Sequence, residues 1–201
     1  VELITFAGKG QPDAELFSQY PFLMGITCLV CMAMFSILSA VMASRFVVEE
    51  YSGKRAILLL SYPISREKVL CAKLVLVFAY TVGAMLLCGA VIQAVFFLTE
   101  SLFPLCSDKL TINVFLQSLG FLLSCSILAG LLGVVSLWFG FRKKSVSMTI
   151  VASVVLVTIV CQIISAALTF LPIMGIVFGV TGIFAVLAMQ YLLKQVKNME
   201  V

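Results

Sequence analysis

Residues 147–193 read SMTIVASVVLVTIVCQIISAALTFLPIMGIVFGVTGIFAVLAMQYLL, without one charged side chain. At 1.5 Å per residue an unbroken helix over this stretch would be roughly 70 Å long, more than twice the ~30 Å of hydrocarbon in a bilayer. The run therefore has to fold back once, and Leu171-Pro172 is the only break in it. Proline suits the first turn of the returning helix, because the N–H it lacks would be unpaired there in any case. Two spanning helices result, at 147–170 and 172–193.

Upstream, uncharged apolar runs recur at 21–44, 74–98 and 112–141. Each is near or above the roughly 20 residues that a helix needs to cross a membrane. The whole chain of 201 residues is 63% hydrophobic and 11% charged, with a mean hydropathy of +1.21. A globule of this size could not keep so much apolar surface from water. The predicted fold is all-α, a polytopic membrane helix bundle with five spanning helices in a single domain over 1–201.

Lysine and arginine set the orientation, since acidic residues contribute little to the rule. Arg45, Lys54, Arg55, Arg66, Lys68, Lys73, Arg142, Lys143, Lys144, Lys194 and Lys197 fall in one set of loops, and only Lys9 and Lys109 in the other. The loop at 45–73, the turn at 141–146 and the C-terminus are thus predicted to be cytoplasmic, in the inner membrane of a bacterium. Residues 1–20 then form an outer loop. An outward start with neither an initiating methionine nor a signal peptide implies one further spanning helix upstream, making six in the native protein.

These features bear on function. The net charge of +4 comes from residues that flank spanning helices, where they fix topology and meet anionic headgroups, so no nucleic-acid partner is expected. Of seven cysteines only Cys106 lies in an outer loop, which leaves no disulfide framework. Cys28-x-x-Cys31 sits mid-span in a chain without histidine and reads as a pair of small hydrophobes rather than a metal or redox site. No Asp, Glu, Lys, Arg or His stands at depth, as ion coupling usually requires. Arg45, at the inner end of the first span, is expected to snorkel to the headgroups.

Histidine, paired intramembrane carboxylates and a nucleophile with a base are all missing, so no catalytic residue is expected. No glycine loop ends in Gly-Lys-Ser/Thr, so any ATP consumed is hydrolysed by another polypeptide. The polar residues within spans, including Gln93, Asn113, Gln117 and Gln162, are either helix–helix hydrogen-bonding groups or the wall of a substrate path. Small residues recur at Ala33, Ser36, Ala40 and Ser44, and again at Gly175, Gly179 and Gly182. Both stripes fit packing within the bundle or a dimer seam.

The segment after the first span is the one charged, structured surface offered to water. Glu49, Glu50 and Gly53 precede a short apolar run, Ala56 to Leu60, which is far too short to cross a bilayer. Ser61-Tyr62-Pro63 breaks it, because the residue before a proline is pushed out of helical geometry. A second helix then starts with Ser65 as its cap, Glu67 at its positive end and Ile64 and Val69 at hydrophobic-staple positions. It continues through Lys73 into the next span. A short helix, a hard turn and a capped helix joined to a spanning segment make either a lever or an interfacial anchor whose Lys54, Arg55, Arg66 and Lys68 pair with lipid phosphate.

The pattern Glu50-x-x-Gly53, Leu58-Leu59-Leu60-Ser61-x-Pro63-Ile64-Ser65-Arg66, with Lys73 at the mouth of a span, resembles the first cytoplasmic loop of the ABC-2 family of ABC transporter permeases. The hydropathy of the whole chain agrees with that resemblance, apart from the absent first helix. It implies a permease half that forms a homo- or heterodimer with a second half and binds an ATP-binding cassette ATPase subunit. It further implies that Glu50, Gly53, Leu59, Ser61, Pro63, Ser65 and Arg66 belong to a short coupling helix and its turn, seated in a groove of the ATPase. ATP and Mg would bind to the partner subunit, and this chain would need no cofactor. The expected function is export of an apolar or amphipathic substrate. A non-transporting membrane scaffold and an ATP-independent channel or carrier are the alternatives.

Overall fold

The computed structural model describes residues 20–48, 66–102, 112–143, 145–167 and 171–197. Helix α1 spans Tyr20–Ala43 and passes into a π-helical turn, Ser44–Val48; α2 spans Arg66–Leu102, α3 Ile112–Lys143, α4 Val146–Ala167 and α5 Leu171–Lys197. No strand occurs among the described residues. All five helices are long and apolar enough to cross a membrane, so the all-α membrane bundle read from the sequence stands. Helix α2 begins well before the apolar run at 74–98, at Arg66, and runs unbroken to Leu102. Pro172 occupies the first turn of α5.

Helix α3 is the centre of the bundle. It packs against each of the other four, while α1, α2, α5 and α4 touch in that order and close a ring around it. More than half of its spanning part is buried, against less than a third for α2, α4 and α5. Glycines on α3 explain the closeness. A Cβ at Gly133 would fall on the Ser39 hydroxyl of α1, and one at Gly140 on Thr149 of α4; one at Gly130 would stand 2.6 Å from the Phe78 ring of α2. In lipid, helices gain nothing from hiding apolar surface, so such backbone approach and the dispersion contacts it allows hold the bundle together.

Two apolar cores result. One joins Met32, Met85, Leu122, Leu128, Val157 and Ile164 with Val177 of α5. The other gathers Val47, Val48, Leu70, Leu74, Leu137, Phe141, Leu192 and Val196, where α1, α3 and α5 end and α2 begins. Arg45, Lys68, Lys73, Arg142, Lys143 and Lys194 lie in the terminal turns around this second core, which is therefore called the basic end. Large apolar side chains such as Met34, Leu76, Leu87, Leu116, Val151 and Ile176 are exposed on the bundle's flanks, as a lipid-facing surface requires.

The two small-residue stripes part company. Ser36, Ala40 and Ser44 are fully buried inside the bundle. On α5 a Cβ at Gly175, Gly179 or Gly182 would meet nothing within 4 Å, so that stripe has no packing role within the chain.

Candidate functional site

Glu50, Gly53, Leu59, Ser61, Pro63 and Ser65 lie outside the described residues, and Arg66 opens α2 with its side chain likewise outside them. What the structure describes is how the two ends of that segment are held. On the upstream side α1 widens into the π-helical turn Ser44–Val48, with Val47 and Val48 buried and Arg45 and Phe46 exposed. A π turn leaves carbonyls poorly matched to the ladder of the preceding helix. On the downstream side Lys73, two turns into α2, donates from Nζ to the Phe46 carbonyl oxygen at 3.4 Å. Its cation also sits favourably at the negative C-terminal end of α1.

Beneath this contact Val47 and Val48 share one core with Leu70, Leu74 and Val77 of α2, Leu137 and Phe141 of α3, and Leu192 and Val196 of α5. Both anchors of the 49–65 segment are thus embedded in a close-packed cluster that reaches four of the five helices. Such packing resists local deformation and moves as a unit. Arg45 projects outward at the rim, the position expected of a snorkelling side chain.

The four candidate path residues are not brought together. Gln93 is 3% exposed, and its Nε2 donates to the Ser118 carbonyl oxygen at 3.3 Å and lies 3.9 Å from Cys28 Sγ. It ties α2 to α3 beside α1. Gln117 and Gln162 are exposed on the flanks of α3 and α4, and Asn113 belongs to the first turn of α3, its side chain outside the described residues. Buried hydroxyls are satisfied within their own helices: Ser36 donates to the Met32 carbonyl at 2.7 Å and Thr81 to that of Val77 at 2.8 Å. Ser126, Ser136 and Ser153 do the same to carbonyls three residues back.

Cys28, Cys31, Cys125 and Cys161 all join the first core, where they fill space among apolar neighbours. Among the described residues no group of three or more Cys, His, Asp or Glu is placed to hold a metal ion.

Sequence reasoning passed over the basic end of the α3–α5 seam. Trp138 packs edge-on against Tyr191, ring centroids 5.9 Å apart, and one turn beyond Tyr191 stands Gln195. The only available signal was the spacing of Tyr191 and Gln195 on one face of α5.

Comparison with known proteins adds the family. Residues 2–160, covering α1 to α3 and much of α4, match the family described as ABC-2 family transporter protein. The chain is also 33% identical over 128 residues to the uncharacterized protein YcbO of Bacillus subtilis (strain 168), an alignment covering 64% of this chain and 56% of that protein. The chain thus spans little more than half the length of this relative. No solved structure matches it. Partnership with an ATPase is general in this family. With five membrane-length helices and a match through most of its length, the chain belongs to the ABC-2 family of transporter membrane proteins.

Proposed function

We propose that this chain is the permease subunit of an ATP-driven exporter in the cell membrane, with the basic end and the C-terminus in the cytoplasm. The observation that carries the reading is the double anchorage of the 49–65 segment: its upstream π turn and its downstream helix share one core with α3 and α5. An ATPase seated on Glu50, Gly53, Leu59, Ser61, Pro63, Ser65 and Arg66 would load both anchors at once. Because the cluster is close-packed, displacement there is delivered to α3, the helix that touches every other. ATP and Mg bind in the partner, and the switch needs only that the ATP-bound partner favours one arrangement of the bundle over another.

The translocation path forms with a second permease half, identical or different. The outward-facing glycines of α5, which meet nothing within 4 Å, support a seam of that kind. An apolar or amphipathic cargo agrees with spans that carry amide and hydroxyl groups but no charge at depth. Gln93, Asn113, Gln117 and Gln162 are its candidate contacts.

The test is reconstitution. Co-expressed with the ATPase, the permease should copurify with it and support flux of an amphipathic dye across liposomes that requires ATP, Mg and both subunits. Flux from the permease alone, or a permease that stays alone in mild detergent, contradicts the reading.

A further inference from the structure

At the basic end, the seam between α3 and α5 holds two polar atoms without partners. The indole Nε1 of Trp138 and the side-chain Oε1 of Gln195 are both buried and unbonded. Neither exposes even 1 Å² of surface, so neither has room for a water beside it. One is a donor and the other an acceptor, on facing helices. A buried group without a partner destabilises the state that contains it, and more so in a medium of low polarity.

The register of α5 offers the remedy. Tyr191 now lies against Trp138, and Gln195 follows it by four residues, about 6 Å along the helix. Sliding α5 one turn toward the opposite end of the bundle would put Gln195 where Tyr191 is. The apolar side of the seam tolerates that step, because Ala188, Leu192 and Val196 also recur every fourth residue and are 3%, 0% and 0% exposed. Leu192 would take the place of Ala188, and Val196 that of Leu192. One-turn shifts between packed helices are an established kind of two-state switch.

We infer that Trp138 and Gln195 form a polar latch that is open in this conformation and closes, the indole N–H donating to the Gln195 carbonyl, when α5 ratchets one turn along α3 during the transport cycle. The inference rests on the permease reading for what drives the step. The pair is positioned on α5 itself, which shares its core with both anchors of the coupling segment.

The experiment uses two variants, Gln195→Met and Trp138→Phe, each removing one partner at nearly constant shape. For the permease alone, each should raise the melting temperature by roughly 2–4 °C, as expected when an unpartnered buried polar group is removed from a chain of this size. Trp138 is the only tryptophan in the chain, so its emission should be unchanged by Gln195→Met in the isolated permease, the latch being open. In the assembled transporter each variant should slow ATP-driven flux several-fold, and the double variant should be no slower than the slower single one.

A role in packing alone would lower stability and flux together. A lower melting temperature in either variant, altered Trp138 emission in isolated Gln195→Met, or full flux in a stabilised variant overturns the latch. A wild-type complex that never transports contradicts the permease reading instead, and the melting temperatures and emission still decide whether the pair is open in the resting state.

Discussion

Gly140→Ala and Gly179→Ala make the same chemical change on two helices and should move stability in opposite directions. At Gly140 the added methyl would fall onto the Thr149 side chain, 2.7 Å from its Cβ and 3.1 Å from its Cα. The second contact is to backbone, so a rotamer change cannot relieve it. The hairpin between α3 and α4 must open, which also strains the bond from the Ser145 N–H to the Gly140 carbonyl, now 3.2 Å. Overpacking of this kind costs about 1–3 kcal/mol, offset by up to ~1 kcal/mol of improved helix propensity. A net loss of about 1–2 kcal/mol remains, and each kcal/mol shifts the midpoint by roughly 2–4 °C in a chain of this size.

At Gly179 the methyl meets nothing within 4 Å, so only the propensity gain of up to ~1 kcal/mol applies. Thermal unfolding of the two purified variants in nanodiscs measures both. Shortening the obstacle with Thr149→Ala in the Gly140→Ala background should restore most of the loss. Equal shifts at the two glycines, or no recovery in the double variant, would refute the argument that α3 is held by backbone approach.

Other consequences follow from the same packing. Gln93→Leu removes an interhelical amide bond worth ~0.6 kcal/mol in a membrane, so the melting temperature should barely move; a strong loss of flux at unchanged stability would mark Gln93 as a cargo contact, and a large loss of stability would show that the bond has been undervalued. Lys73→Met should lower the permease's own stability by less than ~1 kcal/mol, since the contact to Phe46 is exposed, but should reduce transport per ATP hydrolysed by loosening the joint between π turn and α2; an unchanged ratio counts against that role. Gly179→Leu should leave the isolated chain folded while weakening self-association in crosslinking assays, and an intact dimer would remove α5 from the seam. Cys106 should label from outside the cell with a charged maleimide and Cys71 should not, whereas labelling of both from one face reverses the topology.

The helices were legible in the sequence because the bilayer imposes a length and forbids charge, and those constraints write themselves into any one strand of text. The uncharged stretch from 147 to 193 had to bend, and α5 begins at Leu171, beside the proline that suggested it. Which helix lies at the centre was not legible, because all five are apolar all round and lipid-facing surface reads like core. The glycines on α3 and those on α5 have similar spacing, yet only the former meet a neighbour. In the same way Gln93, Gln117 and Gln162 are chemically alike, and only tertiary packing buries the first and leaves the others on the flanks. The π turn after α1 and the unpaired Trp138 and Gln195 belong to the meeting of helices distant in sequence, where local pattern carries no signal.

Replacing Pro63 by alanine and Arg66 by glutamate, then measuring ATP hydrolysis and flux together in the reconstituted complex, tests the coupling role most directly. The account predicts a permease of wild-type melting temperature whose ATPase partner binds weakly and whose flux per ATP hydrolysed collapses. Wild-type binding and undiminished flux per ATP would contradict it.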